Sequence, residues 1–353
     1  VPNAIAPALV PDEPGSKSVR RTRRARGQIG APYPTIPWAN RCAVPRSGAN
    51  SRVGLVRRGD GVHNVDMSFH SEAWSEDPQH VLRVGPGFRL DSVETDSTPG
   101  FKGGKKAGVA ELARVVDTLS DLQERLHAAA TTGATDSVLL VLQAMDTAGK
   151  GGIVRHVVGA VDPQGVQLAS FKKPTAEELS HDFLWRIHKQ VPADGKIGVF
   201  DRSHYEDVLI GRVRELASPE EIERRYEAIN EFERELVDSG TRIIKIMLQI
   251  SPDVQKKRLL DRLDRPDKHW KFTPNDITER EVWPDYQEAY QIALTRTSTD
   301  YAPWYVVPGD NKWYARVAVQ HLLVDVLSEI DPQWPAATYD VEEARAALLA
   351  STV

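Results

Sequence analysis

An α/β fold with a parallel sheet covered on both faces is what this sequence predicts, and two observations carry the prediction. Five short apolar runs, at 138–145, 166–171, 197–200, 243–250 and 304–307, alternate with segments of helical period at about 150–160, 175–190, 219–238, 253–263, 276–297 and 312–329. Strands that alternate with helices form parallel sheets with a helical layer on each side, here a three-layer α/β/α arrangement of five strands. The turn between the first run and its helix, "MDTAGKGG" at 145–152, is made of small residues around a lysine, the layout of a phosphate-binding loop. In such sheets a ligand sits at the carboxyl ends of the strands.

In chain order, residues 1–95 stand apart. They are rich in Pro, Gly, Ser and Arg, hold no helical or strand period, and read as a disordered or non-native N-terminal extension. The basic run Arg20 to Arg26 reads as a solvated segment rather than a nucleic-acid or membrane contact. Residue 1 is Val, and Met67 lies shortly before the ordered pattern, so a start at Met67 behind an over-extended reading frame or a fusion scar stays open. Order is expected from near residue 107. There "GVAELARVVDTLSDLQERLHAAA" spaces Leu112, Val115, Val116, Leu119, Leu122 and Leu126 as one amphipathic helix. Residues 96–335 then form the main domain, with a basic helical segment at about 253–280, and 336–353 end the chain as a short helix or tail.

Composition narrows the class. Of the 353 residues, 41 % are hydrophobic and 27 % charged, as in a soluble globular protein. No apolar stretch is long enough to span a bilayer and no signal-peptide pattern is present, so the cytoplasm is expected and a membrane partner is not. The sole cysteine, Cys42, excludes disulfides and cysteine-rich metal sites within one chain. A formal net charge of -5 excludes a globally basic protein, so any polyanion must meet a local basic surface.

Four stretches carry chemistry. In the loop, Ala148, Gly149, Gly151 and Gly152 let backbone N–H groups approach phosphate oxygens, the following helix points its positive end there, and Lys150 adds a cation. The pattern departs from the usual one. Ala144 replaces the first glycine and Gly151 the Ser or Thr that normally holds the metal, a task the loop's own Asp146 is suited to. A Gly-rich strand-to-helix turn is the plainer alternative. In "IGVFDRSHYEDVLIGRV", an apolar strand ends in Asp201, the usual place of a second metal ligand in phosphate-loop enzymes, and Arg202 follows as a phosphate clamp or as the partner of Asp201. His204 reads as structural, and Glu206 and Asp207 as additional acidic groups. In "QKKRLLDRLDRPDKHWKFTPND", Arg258, Arg262 and Arg265 share one helix face, Pro266 breaks the helix, and Lys268 and Lys271 follow. This is either a movable basic cover for phosphates or a solvated charged helix. In "FKKPTAEELSHDFLWR", Lys172 and Lys173 end a strand on the ligand side and Pro174 to Glu178 start a helix.

Taken together, "QAMDTAGKGGIVRHV", "SFKKPTAEELSHDFLWR", "FDRSHYEDVL", "RLDRPDKHWKFTPND" and "RTSTDYAPWYVVPGDNKWYARV" resemble the second family of polyphosphate kinases, in order over roughly residues 105 to 332. The resemblance implies a P-loop kinase-like fold with a helical lid and Mg²⁺-dependent phosphoryl transfer, with Mn²⁺ as an alternative ion, between inorganic polyphosphate and a purine nucleotide, AMP or ADP. In that family the loop with an internal Asp is the norm. By matching position, Lys150 would contact the transferring phosphates, Asp146 and Asp201 would organise the metal, and Arg202 would stabilise transition-state charge. Arg258, Arg262, Lys268 and Lys271 would form the cationic lid, and Asp285 in "WPDYQEAY" would lie near the site. Arg265 stands where the family has an Asp before the lid proline. The residues around "SFKKPT" lean toward a subfamily that takes both AMP and ADP, and a homo-oligomer, dimer or tetramer, is expected by resemblance. Two other functions are weighed against this one. An ATP-dependent nucleotide kinase would use the same fold. A non-catalytic protein that binds polyphosphate or nucleic acid would use the lid and the Arg20–Arg26 run, but would not need the intact set of Asp146, Lys150 and Asp201.

Overall fold

The computed structural model describes residues 72–352; Arg20 to Arg26, Cys42 and Met67 lie outside them. Five strands form one parallel sheet: β1 Ser137–Ala144, β2 Val166–Ser170, β3 Ile197–Asp201, β4 Thr241–Gln249 and β5 Trp304–Pro308, in the spatial order β2-β3-β1-β4-β5. This is the predicted α/β architecture. Every residue of the central β1 is buried, as a strand with neighbours on both edges and helices on both faces must be. Successive side chains point to opposite faces, so the strand serves two cores. Val138, Leu140 and Leu142 pack with the helices Val116–Ala130 and Lys312–Ile330, while Leu139 and Val141 pack with Pro219–Asp238 and Trp283–Thr297.

Two helices on the site side begin alike. Ser218 and Ser251 each accept a hydrogen bond from the backbone N–H three residues on, and Pro219 and Pro252 follow in the first turn, where their missing N–H costs nothing. The second of these, Pro252–Leu263, starts directly after β4 and carries the lid arginines.

Three expectations are corrected. The helix read as continuous from 108 to 130 is two, Lys105–Arg114 and Val116–Ala130, with Val115 between them. The pattern at 276–297 likewise divides at Val282 into Asn275–Glu281 and Trp283–Thr297, whose first turn takes Pro284. The segment 175–190 contains only short turns. Thr175 and Glu178 exchange the reciprocal bonds of a capping box (2.7 and 3.2 Å), but Asp182 then caps a new turn at Leu184, so side-chain bonds to local backbone replace helix propagation.

The boundary at 95 also shifts. Trp74, Leu82, Val84 and Leu90 are buried, and the chain at 82–84 lies antiparallel along β5, with Val84 N–H donating to Trp304 O (2.8 Å) and Val306 N–H to Leu82 O (2.9 Å). The strap covers a sheet edge that would otherwise expose a row of backbone donors and acceptors. At the other end, Val341–Ala350 is a helix with no buried residue. No helix among the described residues is long and apolar enough to cross a membrane.

Candidate active site

A cavity of about 910 Å³ opens at the carboxyl edge of the sheet. Its floor is the turn from β1 to the helix Lys150–His156. Gly149 has φ +132°, a backbone conformation that side chains oppose, so the turn depends on glycine at this point. Lys150 donates to the carbonyl of Ala144 (3.0 Å), folding its ammonium back over the end of β1. Burial and then the nearby Arg202 push Lys150 below its ordinary value, against the pull of Asp146, Asp201 and Glu206.

The parallel register places Leu142 of β1 and Ser170 of β2 on either side of Asp201, so the carboxylate that ends β3 lies beside the loop. Arg202 follows in the left-handed region (φ +65°), which costs about 1–2 kcal/mol for a non-glycine residue. Its N–H donates to Leu142 O (3.1 Å), and its guanidinium lies 3.2 Å from Asp146 and 3.9 Å from Glu206. Burial opposes that charge, yet Glu206 and Asp146 hold Arg202 above its ordinary value. Glu206 is itself pushed up by burial, with Arg202 and Lys150 pulling the other way, and Gln143, its amide nitrogen turned toward Glu206, donates to it at 3.0 Å.

Beneath this segment lies a buried network. Lys245 of β4 donates to Glu233 (2.6 Å), Tyr205 OH (3.0 Å) and Thr297 O (2.6 Å), and Tyr205 OH donates to Glu233 (2.8 Å). Burial works against the charge of Glu233, but Lys245 and His204 outweigh it and hold the carboxyl below the usual range. Burial also pushes His204 down, so the imidazole is held toward its neutral form, as a structural residue is. The chain after Arg202 is thereby fastened to β4, to the helix Pro219–Asp238 and to the end of Trp283–Thr297.

In the lid, one predicted cation is enclosed rather than open. Arg258 is only 8 % exposed. Its guanidinium donates to four carbonyls: Thr147 (3.1 Å), Ala148 (2.9 Å), Gly309 (2.8 Å) and Asp310 (2.9 Å). It lines the cavity but acts as a clamp on the loop backbone rather than as an open cation. Gln255 adds a bond to the carbonyl of Asp146 (3.1 Å) and accepts one from Arg280 (2.6 Å). Because N–H and C=O point opposite ways across a trans peptide, holding these carbonyls from the lid side turns the N–H groups of Thr147 and Gly149 away from the clamp.

Of the remaining predicted residues, Ala148, Gly151, Gly152, Lys172, Arg262, Lys268 and Lys271 line the cavity. Arg262 also ties the lid together, donating to Lys271 O (3.0 Å) near Asp276. Lys268 pairs with Asp267, as does Arg265. Lys173, Glu206 and Asp285 do not line the cavity. Asp285 is exposed in the first turn of Trp283–Thr297, where a carboxylate meets the positive helix end. Sequence reasoning missed Arg155, Lys312 and Arg316, which also line the cavity. Burial and then Arg155 lower Arg316, and burial and then Arg258 lower Lys312, as expected where cations crowd. A signal existed: Lys312 and Arg316 are one turn apart on the helix that follows β5.

The site can therefore hold a polyanion among clustered cations, over a phosphate-type loop with the carboxylates of Asp146 and Asp201. Residues 103–335 match the family described as Polyphosphate kinase 2 (PPK2). A protein of Meiothermus ruber named AMP/ADP-polyphosphate phosphotransferase is 48% identical over 255 residues, 72% of this chain and 94% of that one. One of Rhodopseudomonas palustris named ADP-polyphosphate phosphotransferase is 42% identical over 272 residues, 73% of this chain and 92% of that one. The crystal structure of polyphosphate kinase 2 from Arthrobacter aurescens TC1 superposes with a TM-score of 0.77 at 57% identity, over 79% of this chain and 98% of that one.

Proposed function

The chain belongs to the polyphosphate kinase 2 family, and from that membership we propose that it moves a phosphoryl group, reversibly, between inorganic polyphosphate and the nucleotides AMP and ADP. The observation that carries this reading is the placing of Lys150, Asp146, Asp201 and Arg202 together at the floor of a cavity walled by cations. A globally acidic protein meets a polyanion here because its positive charge is concentrated at one place.

In the forward direction an oxygen of the acceptor's last phosphate attacks the terminal phosphorus of the polymer in line. The new P–O bond forms as the bond to the next phosphate breaks, and the polymer leaves one unit shorter. No enzyme atom need be bonded to the phosphoryl group, so the residues act by position and charge. Lys150 and Arg202 face the charge that spreads over the transferring oxygens. Asp146 keeps Arg202 in place when the site is empty of substrate. Arg262, Lys268 and Lys271 close over the polymer from the segment 253–280, with Arg155, Lys312 and Arg316 adding charge to the same cavity.

Asp146 and Asp201 would hold Mg²⁺, or Mn²⁺ in its place. The donors fit: both are hard carboxylate oxygens, and both line the same cavity. Mg²⁺ commonly takes one or two carboxylates and completes its shell with water and substrate phosphate. When bound, it would neutralise phosphate charge.

Acceptance of both AMP and ADP is supported by the family resemblance of the "SFKKPT" segment, whose Ser170, Phe171 and Lys172 line the cavity, and by the name of the Meiothermus ruber relative. The name of the Rhodopseudomonas palustris relative favours ADP alone. Purified protein, polyphosphate and Mg²⁺, with AMP or ADP in separate tubes, separates the two. ADP from the first tube and ATP from the second is the expected result, with both lost in Lys150→Ala. Product from ADP only would favour the narrower acceptor, and no transfer in either tube would overturn the reading.

A further inference from the structure

We propose that Trp270 is the stacking platform for the base of the nucleotide acceptor. The inference rests on the nucleotide-acceptor reading above, and it begins from a residue that does not suit its surroundings. Trp270 is 78 % exposed and lines the phosphate cavity, among Arg262, Lys268 and Lys271. Its indole N–H donates to Asp267 O (3.1 Å), which sets the ring's orientation on the lid turn Pro266–Lys271. The ammonium of Lys271 lies 4.8 Å from its centre.

A polyphosphate chain offers oxygens and charge, and no face that an indole can cover. A nucleotide offers both a phosphate for the cations and a flat base for the ring. Phe171, the other aromatic side chain lining the cavity, is buried and edge-on to Phe200 at 5.0 Å, so it is committed to the core. Trp270 is thus the exposed ring available to a base at this cavity. Lys268 and Lys271, the cations that close over the polymer, lie on the same turn, so the segment that grips the donor phosphates also offers a π-surface to the acceptor's base. Because every base has a π-face, such a platform tolerates different bases and selects none by hydrogen bonding.

The test uses the full chain as wild type, Trp270→Ala and Trp270→Phe, titrated at equilibrium with ADP, with inorganic pyrophosphate and with long-chain polyphosphate. ADP affinity should fall about tenfold in Trp270→Ala and stay within about threefold of wild type in Trp270→Phe, in line with the cost of removing an aromatic from a base. Pyrophosphate and polyphosphate, which have no base, should keep their affinities within about twofold. Unchanged ADP affinity in Trp270→Ala would overturn the proposal. An equal loss for all three ligands would overturn it too, and would make Trp270 a lid-packing residue. The same preparations assayed for transfer from polyphosphate keep the two ideas apart. Base-dependent ADP binding without any transfer would uphold Trp270 as the platform while removing the polyphosphate reading.

Discussion

Arg258 donates to the carbonyl of Ala148 at 2.9 Å, so the first helix of the lid holds the phosphate loop by its backbone. The same guanidinium reaches Thr147, Gly309 and Asp310. Lid and loop are one mechanical unit at this point, and the arginines along a single helix face have separate tasks.

Arg258→Ala removes four charge-assisted bonds from buried carbonyls. It should lower stability by roughly 3–5 kcal/mol, read as a lower denaturation midpoint, and should abolish transfer. Arg262→Ala should leave the midpoint within about 1 kcal/mol of wild type, because it gives up one hydrogen bond to Lys271 O and a long 3.9 Å approach to Asp276, and should raise the KM for polyphosphate instead. Similar stability losses in the two variants would contradict the division of roles.

The pair Lys245–Glu233 gives a second expectation. Both side chains are fully buried, and removing one leaves the other without its charge partner. Lys245→Met should cost roughly 3–5 kcal/mol, while Lys245→Met combined with Glu233→Leu should recover a large part of that loss. A double-mutant cycle in denaturant measures the coupling.

His321 makes stability depend on pH. Burial pushes its imidazole down to about 4 from an ordinary 6.5, although Glu111 (3.0 Å) pulls the other way. Between those values the unfolded chain binds a proton that the native protein refuses. Stability is therefore full above pH 6.5, falls as the pH drops toward 4, and loses about 3 kcal/mol in all. Denaturation midpoints between pH 7 and 4 should show this slope, and His321→Gln should flatten it.

Arg155 and Arg316, which line the cavity from outside the lid segment, should matter in proportion to polymer charge. Each Ala variant should raise the KM for long polyphosphate several-fold, leave the KM for ADP within about twofold, and reduce the salt dependence of polyphosphate binding. Equal effects on both substrates would place these residues at the nucleotide instead.

Much of the fold could be read in advance because its signals are local. A buried parallel strand is a short apolar run, and all five runs lie within two residues of the strands they predicted. Lys150 and Asp201 are legible for the same reason: Asp201 ends β3 and Lys150 starts the helix that follows β1, both at the carboxyl edge where topology puts ligands. The failures are non-local. Arg258 reads as one more lid cation until the carbonyls of 147, 148, 309 and 310 are seen to converge on it. The strap at 72–95 has no period because an irregular chain holds it to β5 by individual bonds and buried single side chains. Arg155 and Arg316 come from two helices far apart in sequence, and only the sheet order brings them to one cavity. Lys245 stands within an apolar strand, and its partners lie on three other segments.

Direct transfer between two substrates, with the protein supplying position and charge, is the central claim. A single turnover with end-labelled polyphosphate, excess enzyme, Mg²⁺ and ADP tests it most directly. The label should appear in the γ-phosphate of ATP with none on denatured protein, and Lys150→Ala and Asp201→Asn should stop the transfer while leaving the protein folded. Label on the protein that chases into ATP, or ATP formed equally well by both variants, would contradict the account.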